Sequence, residues 1–303
     1  MRIRSLFATG LAVVVVGVLV GIGAALLSTA GADRHPNAPS PDAASTAQPS
    51  ASASKTAQPN ATSSAKPATP TPTPEFADYV AIGDSYAAGM GGGNETGRCR
   101  RSPQSYPKVL AQTEDIRLTR TAACSGATTA DVQRDQLDAL STEDDLVTLT
   151  IGGNDLDVAG LANTCAKGVT RSCQADFQES LTLLNVLPDR LAATYAKVVQ
   201  AAPHARIVIT GYPLLFVIPP TDNPEFSTFA VVNAATASMN QQIRDAVGKL
   251  KKNGANVAYA PISFAGHEFG TKEPWITTSG PDIFHPNAAG YRAMAKAIER
   301  VLD

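Results

Sequence analysis

The sequence predicts an α/β fold whose mostly parallel sheet is covered by helices on both faces. Short apolar or β-branched runs at Phe76–Ile82, Asp145–Ile151, Arg206–Thr210 and Asn256–Ala260 are each closed by Gly or Pro. That is the pattern of strands buried on both faces. Longer segments between the runs repeat apolar residues near a 3.6-residue period, as amphipathic helices do. Strands and helices alternate along the chain, which selects a parallel sheet with helical crossovers.

Composition divides the 303 residues before any motif is read. Residues 5–32 carry no charge, and Arg2 and Arg4 precede the apolar run that starts at Leu6. That order keeps the N-terminus in the cytoplasm and sends the following chain across the membrane. Residues 1–32 are therefore expected to act as a signal peptide or signal-anchor. Ala30-Gly31-Ala32 fits a cleavage site, whereas the apolar run exceeds the ~7–15 residues of an ordinary signal core. No Cys lies nearby to carry a lipid anchor.

Residues 33–75 contain no Val, Ile, Leu, Met, Phe, Tyr or Trp, and 32 of these 43 are Ala, Pro, Ser or Thr. Such a segment cannot bury enough apolar surface to offset its ordering entropy, so a disordered linker is expected. Its Pro-Thr end, Thr69 to Pro74, favours extended polyproline II geometry and suits a semi-rigid spacer.

Residues 76–303 carry all the alternating patterns, and their 228 residues suit one domain. They hold 20 Lys+Arg against 24 Asp+Glu, a net −4. A mildly acidic domain without a basic cluster argues against nucleic-acid binding, which rests on neutralising phosphates. Only one apolar run is long enough to span a bilayer, which excludes a polytopic membrane protein. Membrane contact is expected only through the N-terminal segment, and the domain is expected to be a monomer.

Within the domain, Phe76–Ile82 ends at Gly83-Asp84-Ser85, and Ile116–Ala122 is a further strand candidate. Asp145–Ile151 ends at Gly152-Gly153-Asn154-Asp155. Ala175–Ala202 spaces Phe177, Leu181, Leu184, Leu187, Leu191, Tyr195 and Val198 as one helix face, with a kink expected at Pro188. Arg206–Thr210 ends at Gly211-Tyr212-Pro213, and Asn256–Ala260 at Pro261. Phe229–Leu250 and Ala288–Leu302 are the remaining helices. Four cysteines in an exported chain imply two disulfides with three possible pairings; order and proximity favour Cys99–Cys124 and Cys165–Cys173. Without a C-x-x-C or ligand-like His spacing, zinc is a poor reading.

The polar motifs fall at the carboxyl ends of the strands, where such folds bind ligands. Ser85 follows the first strand directly and reads either as a nucleophile or as a helix cap. A nucleophilic serine needs a base. His35 sits in the spacer, His204 precedes a strand, and His267 occupies the loop Phe264-Ala265-Gly266-His267. His285 stands three residues after Asp282, which can turn back to orient the imidazole. The pair also reads as a helix-start turn, with Pro286 at the first helical position. Gly126, Asn154 and the Ser85 N–H can serve as oxyanion donors, although each glycine also suits an ordinary turn. Gly89–Asn94 is rich in glycine but lacks the Lys-Ser/Thr of a phosphate loop, so a flexible substrate-side loop fits better.

Gly83-Asp84-Ser85, Gly126, Gly152-Gly153-Asn154-Asp155 and Asp282-x-x-His285, in that order, resemble the SGNH (GDSL) hydrolase superfamily. Ala123 to Thr129, Gly211-Tyr212-Pro213, Phe264 to His267 and Pro274-Trp275 resemble its secreted actinobacterial lipase and esterase branch. The resemblance covers 76–303. It implies a three-layer α/β/α, flavodoxin-like fold and acyl-ester hydrolysis without a cofactor or metal. It also implies that Ser85 is the nucleophile, His285 the base, and Gly126 and Asn154 oxyanion donors. Relatives in this branch often carry a third disulfide near His267, where this chain has no Cys, and some replace the acidic triad member with a backbone carbonyl. Asp282 is present, so a full Ser85-His285-Asp282 triad is expected.

The apolar run Tyr212 to Pro220 reads as an acyl-chain pocket or as packing under a surface loop. An ester of a lipid or acylated small molecule is the expected substrate, outside the cytoplasm. A carbohydrate O-deacetylase of the same fold is the alternative, followed by a non-catalytic envelope module.

Overall fold

The computed structural model describes residues 75–113, 115–157, 164, 170–223 and 226–303. The expected leader, and the spacer up to residue 74, lie outside the described residues. So do Cys165 and the side chains of Cys173, Phe177 and Leu181. Among the described residues, no helix is long and apolar enough to cross a membrane.

Five strands form the sheet: β1 (Phe76–Gly83), β2 (Ile116–Thr121), β3 (Leu146–Thr150), β4 (Arg206–Thr210) and β5 (Val257–Ala260). All neighbouring strands pair in parallel, in the order β2-β1-β3-β4-β5. The helices are α1 (Ser85–Ala88), α2 (Tyr106–Leu110), α3 (Thr129–Asp131), α4 (Arg171–Ala201), α5 (Phe226–Lys252) and α6 (Ala288–Leu302). Helix α2 packs with α6, and α4 with α5, so helices cover both sheet faces in a three-layer α/β/α sandwich.

β3 is buried at every residue, as its continuous apolar run requires. Val80, Ala81 and Ile82 of β1 and Ile207, Val208 and Ile209 of β4 are likewise buried. Only β2 is mostly accessible, which is why its pattern is the least legible in the sequence. Several hydroxyls inside this core pair with one another: Tyr79 with Thr148 at 2.7 Å, Tyr106 with Thr150 at 3.1 Å, and Thr150 with Thr210 at 2.7 Å, whereas the buried Tyr195 hydroxyl has no partner among the described residues. Pairing matters because an unmet buried hydroxyl is costly. Helix α4 runs through Pro188 as one element, with Leu187, Leu191, Tyr195 and Val198 buried. A disulfide joins Cys99 to Cys124.

The strand order is that of flavodoxin-like sheets, in which the chain reverses direction across the sheet between β1 and β3. Crossovers leave to opposite sides at that point and open a crevice beyond the strand ends. β1 delivers Ser85 there and β3 delivers Asn154.

Candidate active site

The turn that carries Ser85 is built from close approach. Gly83 has φ +127°, and a Cβ at that position would meet the Thr150 carbonyl oxygen at 2.2 Å. Only glycine allows the ends of β1 and β3 to meet this closely. The Gln136 carboxamide accepts from the Gly83 N–H at 2.7 Å and donates to its carbonyl at 2.9 Å. Asp84 then caps α1, its carboxylate accepting from the Tyr86 N–H at 2.9 Å. Ser85 is therefore the first residue of the helix, and the capping role belongs to its neighbour.

The Ser85 hydroxyl lies 2.8 Å from His285 Nε2. The Tyr86 ring stands 5.3 Å from the imidazole, and its hydroxyl donates to the Phe284 carbonyl at 2.8 Å. Tyr291 of α6 donates to the Met90 carbonyl at 2.6 Å, tying the loop after Ser85 to the helix after His285. That helix is capped by Asn287, which accepts from the Ala289 and Gly290 N–H groups. Pro286 thus precedes the cap and is not the first helical residue, a correction to the sequence reading.

Burial lowers the pKa of His285, while main-chain groups at Ile283 and Asp282 and the Asp282 charge oppose that shift. A neutral imidazole can accept a proton from serine, so this shift favours a base.

Asp282 is not bonded to His285 as a triad carboxylate would be. Its Oδ1 lies 2.6 Å from Arg100 Nη1, and His285 Nδ1 is buried without a hydrogen bond of good geometry. A turn closed by the His285 N–H on the Asp282 carbonyl, 3.0 Å, leaves the carboxylate to Arg100. Among the described residues Asp282 thus pairs with Arg100, where the sequence reading expects it on His285 as the third member of a triad.

Gly126 has φ +84° and follows the disulfide at Cys124. Among the described residues, no hydrogen bond uses its N–H or that of Ser85. Asn154 lies on a 3₁₀ turn, Gly153–Leu156, and donates from Nδ2 to the Ala127 carbonyl at 2.9 Å. One Nδ2 hydrogen fixes the side chain against the Gly126 loop and the other remains to donate. Beneath it, buried Asp155 accepts from the Thr129 N–H at 2.9 Å and from the Thr129 hydroxyl. Ser85, Gly126 and Asn154 thus lie on neighbouring turns beyond β1, β2 and β3.

His267 is not brought to Ser85. Its ring stacks on Trp275 at 3.8 Å, and Nδ1 lies 2.8 Å from the Glu273 carbonyl. His204 is exposed in the turn before β4. The glycine-rich loop is pinned and not free: Glu95 accepts from the N–H groups of Gly91 and Gly93 at 2.9 and 3.0 Å. Amides that a phosphate would need are therefore already engaged.

The apolar run divides in two. Phe216 is buried and packs on Phe229, Phe269 and Phe284, at ring distances of 4.2, 5.6 and 5.3 Å. Leu214, Val217 and Ile218 are exposed at 41%, 40% and 43%. Buried Asn233 fixes the loop by accepting from Leu215 and Phe216 N–H groups and donating to the Phe216 carbonyl. Gln136, Glu95, Arg100 and Asn233 were not singled out in the sequence, and no local motif marks them.

The GDSL-like Lipase/Acylhydrolase family model matches residues 81–293. A lipase of Streptomyces rimosus is 33% identical over 237 residues, covering 75% of this chain and 87% of that protein. Lipase 2 of Streptomyces coelicolor is 35% identical over 274 residues, 78% of this chain and 89% of that protein. Among solved structures, an extracellular lipase of Streptomyces rimosus shares 30% identity with a TM-score of 0.65, covering 74% of this chain and 98% of that one. Phospholipase A1 of Streptomyces albidoflavus shares 32% identity at the same TM-score and coverage. With the Ser85–His285 pair at the sheet's reversal point, these matches lead to one conclusion: the chain belongs to the GDSL-like lipase/acylhydrolase family of SGNH hydrolases and is a carboxylic ester hydrolase.

Proposed function

We propose that this enzyme hydrolyses its ester by two-step acyl transfer, with Ser85 as nucleophile and His285 as base. The observation that carries the reading is the 2.8 Å approach of Ser85 Oγ to His285 Nε2. His285 takes the hydroxyl proton as Oγ attacks the ester carbonyl carbon. The oxyanion is met by the N–H groups of Ser85 and Gly126 and by Asn154 Nδ2. Collapse expels the alcohol, which takes the proton from His285. Water then repeats the sequence on the acyl-enzyme, releasing the acid and restoring Ser85. Asp282 stabilises the imidazolium through space.

The substrate class is an acyl ester of a lipid or lipid-like small molecule. Support comes from the Phe216, Phe269 and Phe284 cluster, which begins next to His285 and continues into the exposed Leu214, Val217 and Ile218. The reaction is placed outside the cytoplasm: residues 1–32 direct export, 33–75 form a linker, and 76–303 form the catalytic domain. Support for this is the Arg-led apolar N-terminus and the Cys99–Cys124 disulfide, a bond of oxidising compartments.

The test is Ser85→Ala together with fluorophosphonate labelling. Loss of both turnover and labelling is expected, and full turnover by the variant refutes the assignment. An acyl-chain-length series against an acetylated glycan tests the substrate class. Faster turnover of the glycan would favour the O-deacetylase.

A further inference from the structure

The Tyr212 hydroxyl, just beyond β4, occupies a junction that the reaction scheme leaves unused. It donates to the Asp84 carboxylate and accepts from the Gly153 N–H at 3.1 Å. Asp84 precedes the proposed nucleophile and caps its helix; Gly153 precedes the proposed donor Asn154. One phenol oxygen therefore connects the turns that hold the two halves of the site.

The phenol is itself held firmly. Asn240 of α5 accepts from the Tyr212 N–H and donates to its carbonyl, each at 2.8 Å. The Tyr212 ring packs edge-on against Tyr86 at 5.1 Å. A fixed anchor on α5 thus reaches the ends of β1 and β3 through a single side chain.

Asp84 is costly to bury, which argues for a positional role. It is 1% exposed. The titratable groups that face it are the phenols of Tyr86, Tyr106, Tyr195, Tyr212 and Tyr291 and the Asp155 carboxylate. Among the described residues no cation compensates it; its stabilising partners are the Tyr212 hydroxyl and the N–H groups of Tyr86 and Ala87. A buried carboxylate with only dipolar partners gives up stability for geometry.

We propose that Tyr212 is a positioning residue for ester hydrolysis, setting the Ser85 turn against the Asn154 turn through the Gly153–Tyr212–Asp84 bridge. This rests on the Ser85 nucleophile assignment above. The hydroxyl touches neither substrate nor reacting atoms. It acts because attack and oxyanion capture require Oγ and the donors to be fixed within fractions of an ångström.

The test is steady-state kinetics, fluorophosphonate labelling and thermal melting of Tyr212→Phe and Asp84→Asn, with Ser85→Ala in parallel. Tyr212→Phe removes one oxygen and keeps the ring. Its kcat should fall roughly 10-fold or more, in the range that small misplacements cause, with KM within about twofold. Labelling should slow in proportion. Burial holds the Asp84 carboxyl up to about 7, opposed by its Tyr212 bond. The inflection of kcat near that pH should therefore move upward in Tyr212→Phe and vanish in Asp84→Asn.

Wild-type kcat and an unshifted pH profile in Tyr212→Phe, with Ser85→Ala inactive, overturn the inference but keep the nucleophile. A lower melting temperature with normal kcat per labelled molecule also overturns it, since the bond would then only stabilise the fold. An active Ser85→Ala defeats the nucleophile assignment instead.

Discussion

Burial lowers the basicity of His285, and the main chain at Ile283 and Asp282 with the Asp282 charge opposes it. The acid limb of kcat/KM should therefore lie below the ordinary histidine range near 6.5, as a pH profile of the free enzyme reports. Removing Arg100 takes away a neighbouring cation and frees Asp282, so Arg100→Ala should move that limb upward. Asp282→Asn should reduce kcat far less than the ~10⁴-fold that follows removal of a carboxylate bonded to the imidazole. A loss of that size would show that Asp282 turns onto His285 during the reaction. Asn154→Ala removes a proposed oxyanion donor and should cost about 10²–10³ in kcat, measured on a soluble ester. Ser85, His285, Gly126 and Asn154 were legible because Gly, Pro or a cap stands beside each at an element end. Arg100, Gln136 and Tyr212 matter through partners tens or hundreds of residues away, and no local pattern encodes such a contact.

Among the elements, the β1–α1 turn depends on Gly83. Gly83→Ala introduces a Cβ 2.2 Å from the Thr150 carbonyl at a φ of +127°, so β1 and β3 must separate. A loss of several kcal/mol is expected from overpacking and strain together, measured by urea denaturation. The Cys99–Cys124 bond closes a loop of 25 residues and should contribute on the order of 3 kcal/mol. Because it also anchors the Gly126 loop, Cys99→Ser with Cys124→Ser should lower kcat as well as the melting temperature. Equal kcat for the folded double variant would limit the disulfide to stability. β3 and β4 were the most legible strands, since burial on both faces makes every residue after Arg206 in β4, and all of β3, apolar or small and hydroxylated. β2 is an edge strand with five of its six positions partly or fully exposed and few apolar residues, and its signal is correspondingly weak.

For the whole molecule, Asp84 couples stability to pH. Its pKa rises from 3.8 to about 7 on burial, so the folded state binds more protons than the unfolded state between those values. The Asp84 contribution is then fully present below about 4 and is lost as pH rises through 7. His285 works in the opposite sense, because its depressed pKa makes protonation costly in the folded state. Melting temperatures of Asp84→Asn and wild type should differ little below about pH 4 and diverge progressively toward pH 8, with the variant the more stable. Convergence at pH 8 would show that Asp84 is already ionised without cost. The net charge of −4 on 76–303 disfavours polyanions as partners and leaves chemistry to a few polar groups at the strand ends.

The sequence by itself determined the α/β alternation, the parallel sheet and the residues gathered at its carboxyl edge, because local periodicity and chain-breaking residues encode them. Tertiary structure alone decided which neighbours those residues meet. It assigned Asp282 to Arg100, held His267 on Trp275, and inserted Tyr212 between Asp84 and Gly153. The physical reason is one of range. Secondary structure follows contacts a few residues apart, whereas a hydrogen-bond partner is chosen by how the crossovers bring distant strand ends to within about 3 Å.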